Sequence, residues 1–226
     1  MCLFPDDTDR NVLVDDCRRC PSLVESRTRI SWGVGSLDAT LVVVGEAPGA
    51  GDPTADRWRG GNRTGMAYTT RHSGRRIRRL FADLGYTEDE LYFTNAVKCF
   101  PRDTSGDPPD GTDDASASNR EPTPRERERC RSHLLSELET VEPACVIATG
   151  RHATQSLFAA EGRTLEGFLE TVLTPVETET LGAPILPLLH PSYQDVWIAR
   201  LGYDADGYRE AIREALSSAD ATPASS

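Results

Sequence analysis

The chain has 226 residues, enough for one sizeable domain with tails. Its net charge is −11, 38% of its residues are hydrophobic, and no apolar run approaches the ~20 residues that a membrane-spanning helix needs, which excludes a helical membrane protein. Arginines number 24 against a single lysine, Lys98, so the acidity reads as adaptation to a cytoplasm of very high salt, where self-repulsion is screened.

At the start, MCLFPDDTDRNVL has no basic end followed by an apolar stretch, so no secretion signal is read and a cytoplasmic protein is expected. Residues 1–12 read as a flexible N-terminus, 13–218 as a single domain and 219–226 as a disordered tail. Four short apolar runs read as strands covered on both faces: 41–44 (LVVV), 91–97 (LYFTNAV), 145–149 (CVIAT) and 185–189 (ILPLL). Helical patterns lie between and after them. Ile77, Leu80, Phe81 and Leu84 recur at helical spacing, with Ser73 as the expected N-cap and Gly85 as the stop. Thr123, Pro124 and Glu126 make a capping box for a second helix. Residues 151–160 and 205–217 read as two more, while 103–119, rich in Asp, Gly, Pro and Ser, reads as an acidic insertion loop. The alternation predicts an α/β fold: a three-layer α/β/α sandwich around a mostly parallel four-stranded sheet.

Such sheets hold ligands beyond the carboxyl ends of their strands. Glu46, in the turn GEAPG at 45–49, Asn95 and His190 all fall at such ends. The turn taken alone also suits a tight bend with a solvent-facing glutamate. The following loop, DRWRGGNRTGMAYTTRHSG, combines glycines that let a ligand approach backbone N–H groups, arginines suited to phosphates, and Trp58 and Tyr68 available for stacking. Arginines cluster at 57, 59 and 63 and again at 71, 75, 76, 78 and 79, although 75–79 also fits the solvated face of its helix. In LLHPSY, a histidine after a buried strand can donate a hydrogen bond to an oxygen that gains charge.

The cysteines form a second constellation. Cys17 and Cys20 are a C-x-x-C pair, Cys99 follows a strand and Cys130 lies on a helix. Four thiolates suit zinc or an iron–sulfur cluster, and spacing alone leaves open both that choice and the plainer reading of Cys99 and Cys130 as buried apolar residues. Cys2 and Cys145 read as a terminal residue and a strand interior.

GEAPG, TNAVKC, PTPRERERC and HPS, in that order and with C-x-x-C upstream, resemble the iron–sulfur uracil-DNA glycosylases of families 4 and 5 over roughly residues 13–200. GEAPG is the family-4 form, whereas GGNRTGMAYTTRHSG is similar to the family-5 segment. The resemblance implies a monofunctional hydrolase that flips uracil out of DNA and cuts its N-glycosidic bond. Cys17, Cys20, Cys99 and Cys130 would hold a structural [4Fe–4S] cluster. Ala47 and Gly49 would offer backbone N–H groups to the base, Tyr68 would stack on it and Asn95 would read its polar edge. His190 would hydrogen-bond the leaving uracil, and Ser192 would belong to the loop that probes DNA. The assisting carboxylate falls to Glu46 or to Asp52, which stands where family 4 carries a glutamate; the aspartate that family 5 places further on is replaced by Arg71. A monomer acting on uracil-containing DNA is expected. The alternatives are a glycosylase for other deaminated bases such as hypoxanthine, and a non-catalytic iron–sulfur protein that binds nucleic acid.

Overall fold

The computed structural model describes residues 4–105 and 118–224. Most of the expected acidic insertion, Cys2 and the last two residues of the tail lie outside them. The strands are β1 (Arg10–Asn11), β2 (Gly33–Gly35), β3 (Leu41–Gly45), β4 (Leu91–Asn95), β5 (Cys145–Thr149) and β6 (Ile185–Leu188). The helices are α1 (Pro21–Ser26), α2 (Gly61–Thr64), α3 (Ser73–Asp83), α4 (Pro124–Val141), α5 (Arg151–Ala160), α6 (Gln194–Trp197) and α7 (Ala205–Ser218).

Among the described residues the sheet has six strands in the order β1-β2-β4-β3-β5-β6, not the four expected. The four apolar runs form its parallel part; β1 and β2 extend it with antiparallel pairings beyond β4. These two strands carry no apolar run because contacts elsewhere hold them. Asn11 donates to the Tyr92 hydroxyl at 3.1 Å. A Cβ on Gly33 would sit 2.0 Å from that hydroxyl, so only glycine lets β2 approach β4.

Alternation along the parallel strands splits the core. Val43, Phe93, Ile147 and Leu186 face α3 and α7, through Ile77, Phe81, Tyr208 and Ile212. Val42, Val44, Val146 and Ala148 face α4 and α5, through Leu134, Leu138, Ala153 and Leu157. The helix ends follow local chemistry. Thr123 Oγ1 accepts from the Glu126 N–H at 3.2 Å while the Glu126 carboxylate accepts from the Thr123 N–H at 2.8 Å, closing the expected capping box. Ser73 is not the cap of α3 but its first residue; Thr70 Oγ1 accepts from the Gly74 N–H at 3.0 Å instead. At the chain ends, Phe4 packs edge-on against Trp58 at 5.2 Å, and Ala221 is buried with its carbonyl accepting from the Tyr86 hydroxyl. No helix among the described residues is long and apolar enough to cross a membrane.

Neighbouring strands β3 and β5 lead off to opposite sides of the sheet, β3 toward β4 and β5 toward β6. Their carboxyl ends therefore border the crevice where ligands bind in such sheets.

Candidate active site

The crevice is a cleft of about 1050 Å³. Its floor is the turn after β3. Ala96 N–H donates to the Gly45 carbonyl at 2.8 Å and Val97 N–H to the Glu46 carbonyl at 2.9 Å, so the end of β4 holds the turn. From outside, Asn119 Nδ2 donates to the Pro48 carbonyl and Asn62 N–H to the Gly49 carbonyl, both at 3.3 Å. Glu46, Ala47 and Gly49 all line the cleft.

Gly45 makes a close approach possible. A Cβ there would lie 2.5 Å from Asn95 Oδ1 and 2.7 Å from the Tyr68 hydroxyl oxygen, so both side chains occupy space that any other residue would fill. Asn95 pairs with Gly45 in register, is 4% exposed, and its Nδ2 has no hydrogen-bond partner. A buried amide costs about 1–3 kcal/mol unless water or a ligand in the cleft satisfies it. Tyr68 sits in the left-handed region, with φ 53°; its hydroxyl pairs with Thr149 Oγ1 and its ring meets Phe93 edge-on at 5.7 Å.

His190 follows β6 and lines the same cleft. Its Nδ1 accepts from the Ser192 N–H at 3.2 Å, which places the single proton of a neutral ring on Nε2. Burial, with a smaller contribution from His152, pushes its pKa down to about 4. The ring is thus a neutral donor at ordinary pH, suited to an oxygen that becomes negative. Ser192 and Tyr193 complete this wall, and Tyr193 is 60% exposed.

Burial raises the Glu46 pKa and nearby Glu121 adds to the rise, while His152 and Arg127 oppose it. Asp52 is not among the residues that line the cleft. Its Oδ1 accepts from Thr54 N–H at 2.8 Å and from Thr54 Oγ1–H at 2.7 Å, so it caps a turn. Trp58 is also absent from the lining; with φ 58° it packs on Phe4, and the Arg75 guanidinium lies 5.2 Å from its ring centre. The sequence reading missed several cleft residues. His152, paired with Glu121 at 3.0 Å, follows the end of β5 much as His190 follows β6, so the logic of strand ends could have found it. Phe168, Leu169 and Trp197 come from segments with no periodic pattern.

Beside the cleft, Arg71, His72, Arg75, Arg76 and Arg79 line a second hollow with Pro191, Ser192 and Asp195. Arg76 is tied to Asp195 and donates to Gln194 Oε1 at 3.1 Å. Arg78 instead turns inward, over the Phe93 ring at 4.0 Å.

The four cysteines of the second constellation line one cavity of about 20 Å³, together with Leu23, Ile30, Trp32 and His133. Lys98 N–H donates to Cys130 Sγ at 3.3 Å and Arg27 Nη1 to Cys99 Sγ at 3.4 Å. Burial raises the thiol pKa of Cys20 and Cys99 and pushes that of Cys130 up to about 12. No three His, Cys, Asp or Glu side chains among the described residues are placed to hold a single metal ion. Four thiols on one cavity, two of them already accepting from N–H donors, are a donor set that suits an iron–sulfur cluster or zinc. Cys145 is fully buried in β5 and away from this cavity.

A buried ion pair joins the two sites. Lys98, 1% exposed, donates from Nζ to Thr94 Oγ1 at 2.6 Å, to the Asn95 carbonyl at 2.7 Å and to the Glu137 carboxylate. Glu137, on the same helix as Cys130, also accepts from Gly33 N–H at 3.1 Å and Thr94 Oγ1–H at 2.6 Å.

Comparison with known proteins matches residues 32–212 to the Uracil DNA glycosylase superfamily. The chain is 31% identical over 153 residues to the type-4 uracil-DNA glycosylase of Archaeoglobus fulgidus, an alignment covering 68% of this chain and 63% of that protein. It is 29% identical to the type-4 uracil-DNA glycosylase of Thermotoga maritima, covering 80% of this chain and 78% of the relative. A type-5 uracil-DNA glycosylase of Pyrobaculum aerophilum is 28% identical, with 90% and 89% covered.

Proposed function

The chain belongs to the uracil-DNA glycosylase superfamily, and on that premise we propose that it removes uracil from DNA by hydrolysing the N-glycosidic bond, leaving an abasic site. The observation that carries this reading is the convergence of Asn95, His190, Tyr68 and Glu46 on one cleft at the switch point of the sheet. A base inside a duplex is out of reach, so the nucleotide is flipped into the cleft. The unpaired Asn95 amide offers a donor to the polar edge of uracil, and its Oδ1 an acceptor, a pattern that matches the imide and mismatches cytosine. Tyr68 flanks the ring, and backbone N–H groups at Ala47 and Gly49 face the base.

The C1′–N1 bond breaks with its electron pair leaving on uracil. His190 Nε2–H donates to the oxygen where that charge gathers. The Glu46 carboxylate stabilises the cationic sugar and positions the water whose oxygen bonds to C1′, with its proton passing to the carboxylate or to solvent. Ser192 and Tyr193 fill the vacated stack, and the arginine-lined hollow holds phosphates. Cys17, Cys20, Cys99 and Cys130 would hold a [4Fe–4S] cluster whose part would be structural, fixing the segment that runs from the end of β4 through Lys98.

The test is single-turnover release of uracil, in molar salt, from oligonucleotides carrying uracil in single strands or opposite G or A. Wild type releases uracil, and His190→Ala lowers the rate by about 10²- to 10³-fold, as loss of one oxyanion donor does. Release of hypoxanthine but not uracil would move the substrate. DNA binding with no release of either base would overturn the enzymatic reading.

A further inference from the structure

Of the residues that line the cysteine cavity, one carries a sealed polar atom without a partner. His133 is 6% exposed, and its Nε2 makes no hydrogen bond. Folded proteins leave few such atoms, because each costs about 1–3 kcal/mol unless a group absent from the protein chain satisfies it. His133 stands three residues after Cys130 on α4, hence on the same helix face. Its ring is fixed edge-on against Trp32, with centroids 5.2 Å apart at 86°. Two neighbours in the cavity wall, Lys98 N–H and Arg27 Nη1, already donate to cysteine sulfur.

We propose that His133 Nε2–H is a third donor of this wall, aimed at sulfur of the iron–sulfur cluster, and that it sets the cluster's reduction potential. The inference rests on the cluster reading given above. A neutral imidazole with its proton on Nε2 meets the need, and it leaves no buried charge. A hydrogen bond to cluster or ligand sulfur stabilises the more negative, reduced state and so raises the potential. His133 touches no cleft residue in this role. It tunes and retains the group rather than taking part in base release.

The experiment uses the full-length protein as purified, with iron and sulfide measured first. Protein-film voltammetry then compares wild type with His133→Phe, which keeps an aromatic edge against Trp32, and His133→Gln, which keeps an N–H. The expected result is a lower midpoint potential for His133→Phe, a smaller drop for His133→Gln, and iron content near wild type in both. An unchanged potential in His133→Phe overturns the proposal while leaving the cluster in place. Wild-type protein without iron or sulfide overturns the cluster reading and this one with it. Should His133→Phe fail to fold, pulsed electron paramagnetic resonance on wild-type protein labelled with ¹⁵N-histidine decides. Nitrogen coupling to the cluster in its paramagnetic state supports the donor, and its absence overturns it.

Discussion

The two cavities flank the segment 95–99 and differ in nearly every property. The cleft holds about 1050 Å³, opens to solvent and is walled by carboxylates, imidazoles, amides and aromatic rings. The cysteine cavity holds about 20 Å³ and is lined, beside its four thiols, by leucine, isoleucine and tryptophan together with arginines, Lys98 and His133. Both leave buried polar atoms unpaired: Asn95 Nδ2 and His152 Nδ1 in the first, His133 Nε2 in the second. An open site with unpaired groups suits a visitor that must enter and leave. A small one lined by four thiols suits a resident that arrives with folding and stays.

The largest expected effect lies at the resident site. Cys130 is 8% exposed, sits mid-helix and contributes to the cavity wall that joins α1, α4 and the end of β4. Cys130→Ala should abolish iron binding and cost at least about 4 kcal/mol, the range reached when a bound metal group is lost. Iron analysis and thermal melting check it. Full iron content with an unchanged melting temperature would erase the distinction between the two cavities.

The link between them comes next. Lys98→Met would leave the Glu137 carboxylate buried without its cation, at about 3–5 kcal/mol. Urea unfolding should show that loss. Lys98→Met with Glu137→Leu should recover part of it, but not all, because Gly33 N–H and Thr94 Oγ1–H lose their acceptor. A single variant costing under about 1 kcal/mol would mean that water reaches the pair, since an exposed ion pair is worth no more than that.

At the visitor's site, His190 should leave a mark on stability. Its pKa in the folded chain is about 4 against an ordinary 6.5, so the unfolded chain binds the proton first. The contribution is fully present above pH 6.5 and is lost as pH falls toward 4; the whole span is worth about 3 kcal/mol. His190→Gln should flatten the fall in melting temperature across that window. An unchanged slope would place the ring in water, and the neutral donor would go with it.

How far the sequence foretold these sites follows the range of the forces involved. The parallel strands were legible because each is an apolar run buried on both faces, and the α4 cap because its partners lie three residues apart. The edge strands β1 and β2 were not, since Arg10–Asn11 and Gly33–Gly35 owe their pairing to residues such as Tyr92, far along the chain. Trp58 shows the same limit. Composition offered it for stacking on a base, but its left-handed backbone turns it onto Phe4. The far wall of the cleft, Phe168 and Leu169, has no local signature at all. Motifs could place Asn95 and His190 at strand ends, yet only the fold brings them to one cleft with Glu46 and leaves Asp52 out of its lining.

That last separation yields the finest test. Sequence offered two carboxylates six residues apart, Glu46 and Asp52, for the same chemical role. Asp52 already spends one oxygen on the two donors of Thr54, and those bonds hold its pKa down. Glu46 lines the cleft, and burial raises its pKa, so its carboxylate is short of solvent and available to a developing cation. Glu46→Gln should therefore slow uracil release by about 10²-fold, the lower end of what a positioned proton-transfer group supplies. Its wild-type rate should also fall on acidification at a higher pH than an ordinary glutamate would give, because protonation removes the same charge. Asp52→Asn should weaken one turn and change the rate by less than about twofold, since an exposed turn bond is worth only about 1 kcal/mol or less and none of it is spent on the reaction. Single-turnover rates of both variants settle the order. If Asp52→Asn is the slow one, the turn at 52–54 must swing into the cleft when DNA binds, and the carboxylate that matters is delivered by the substrate rather than built into the floor.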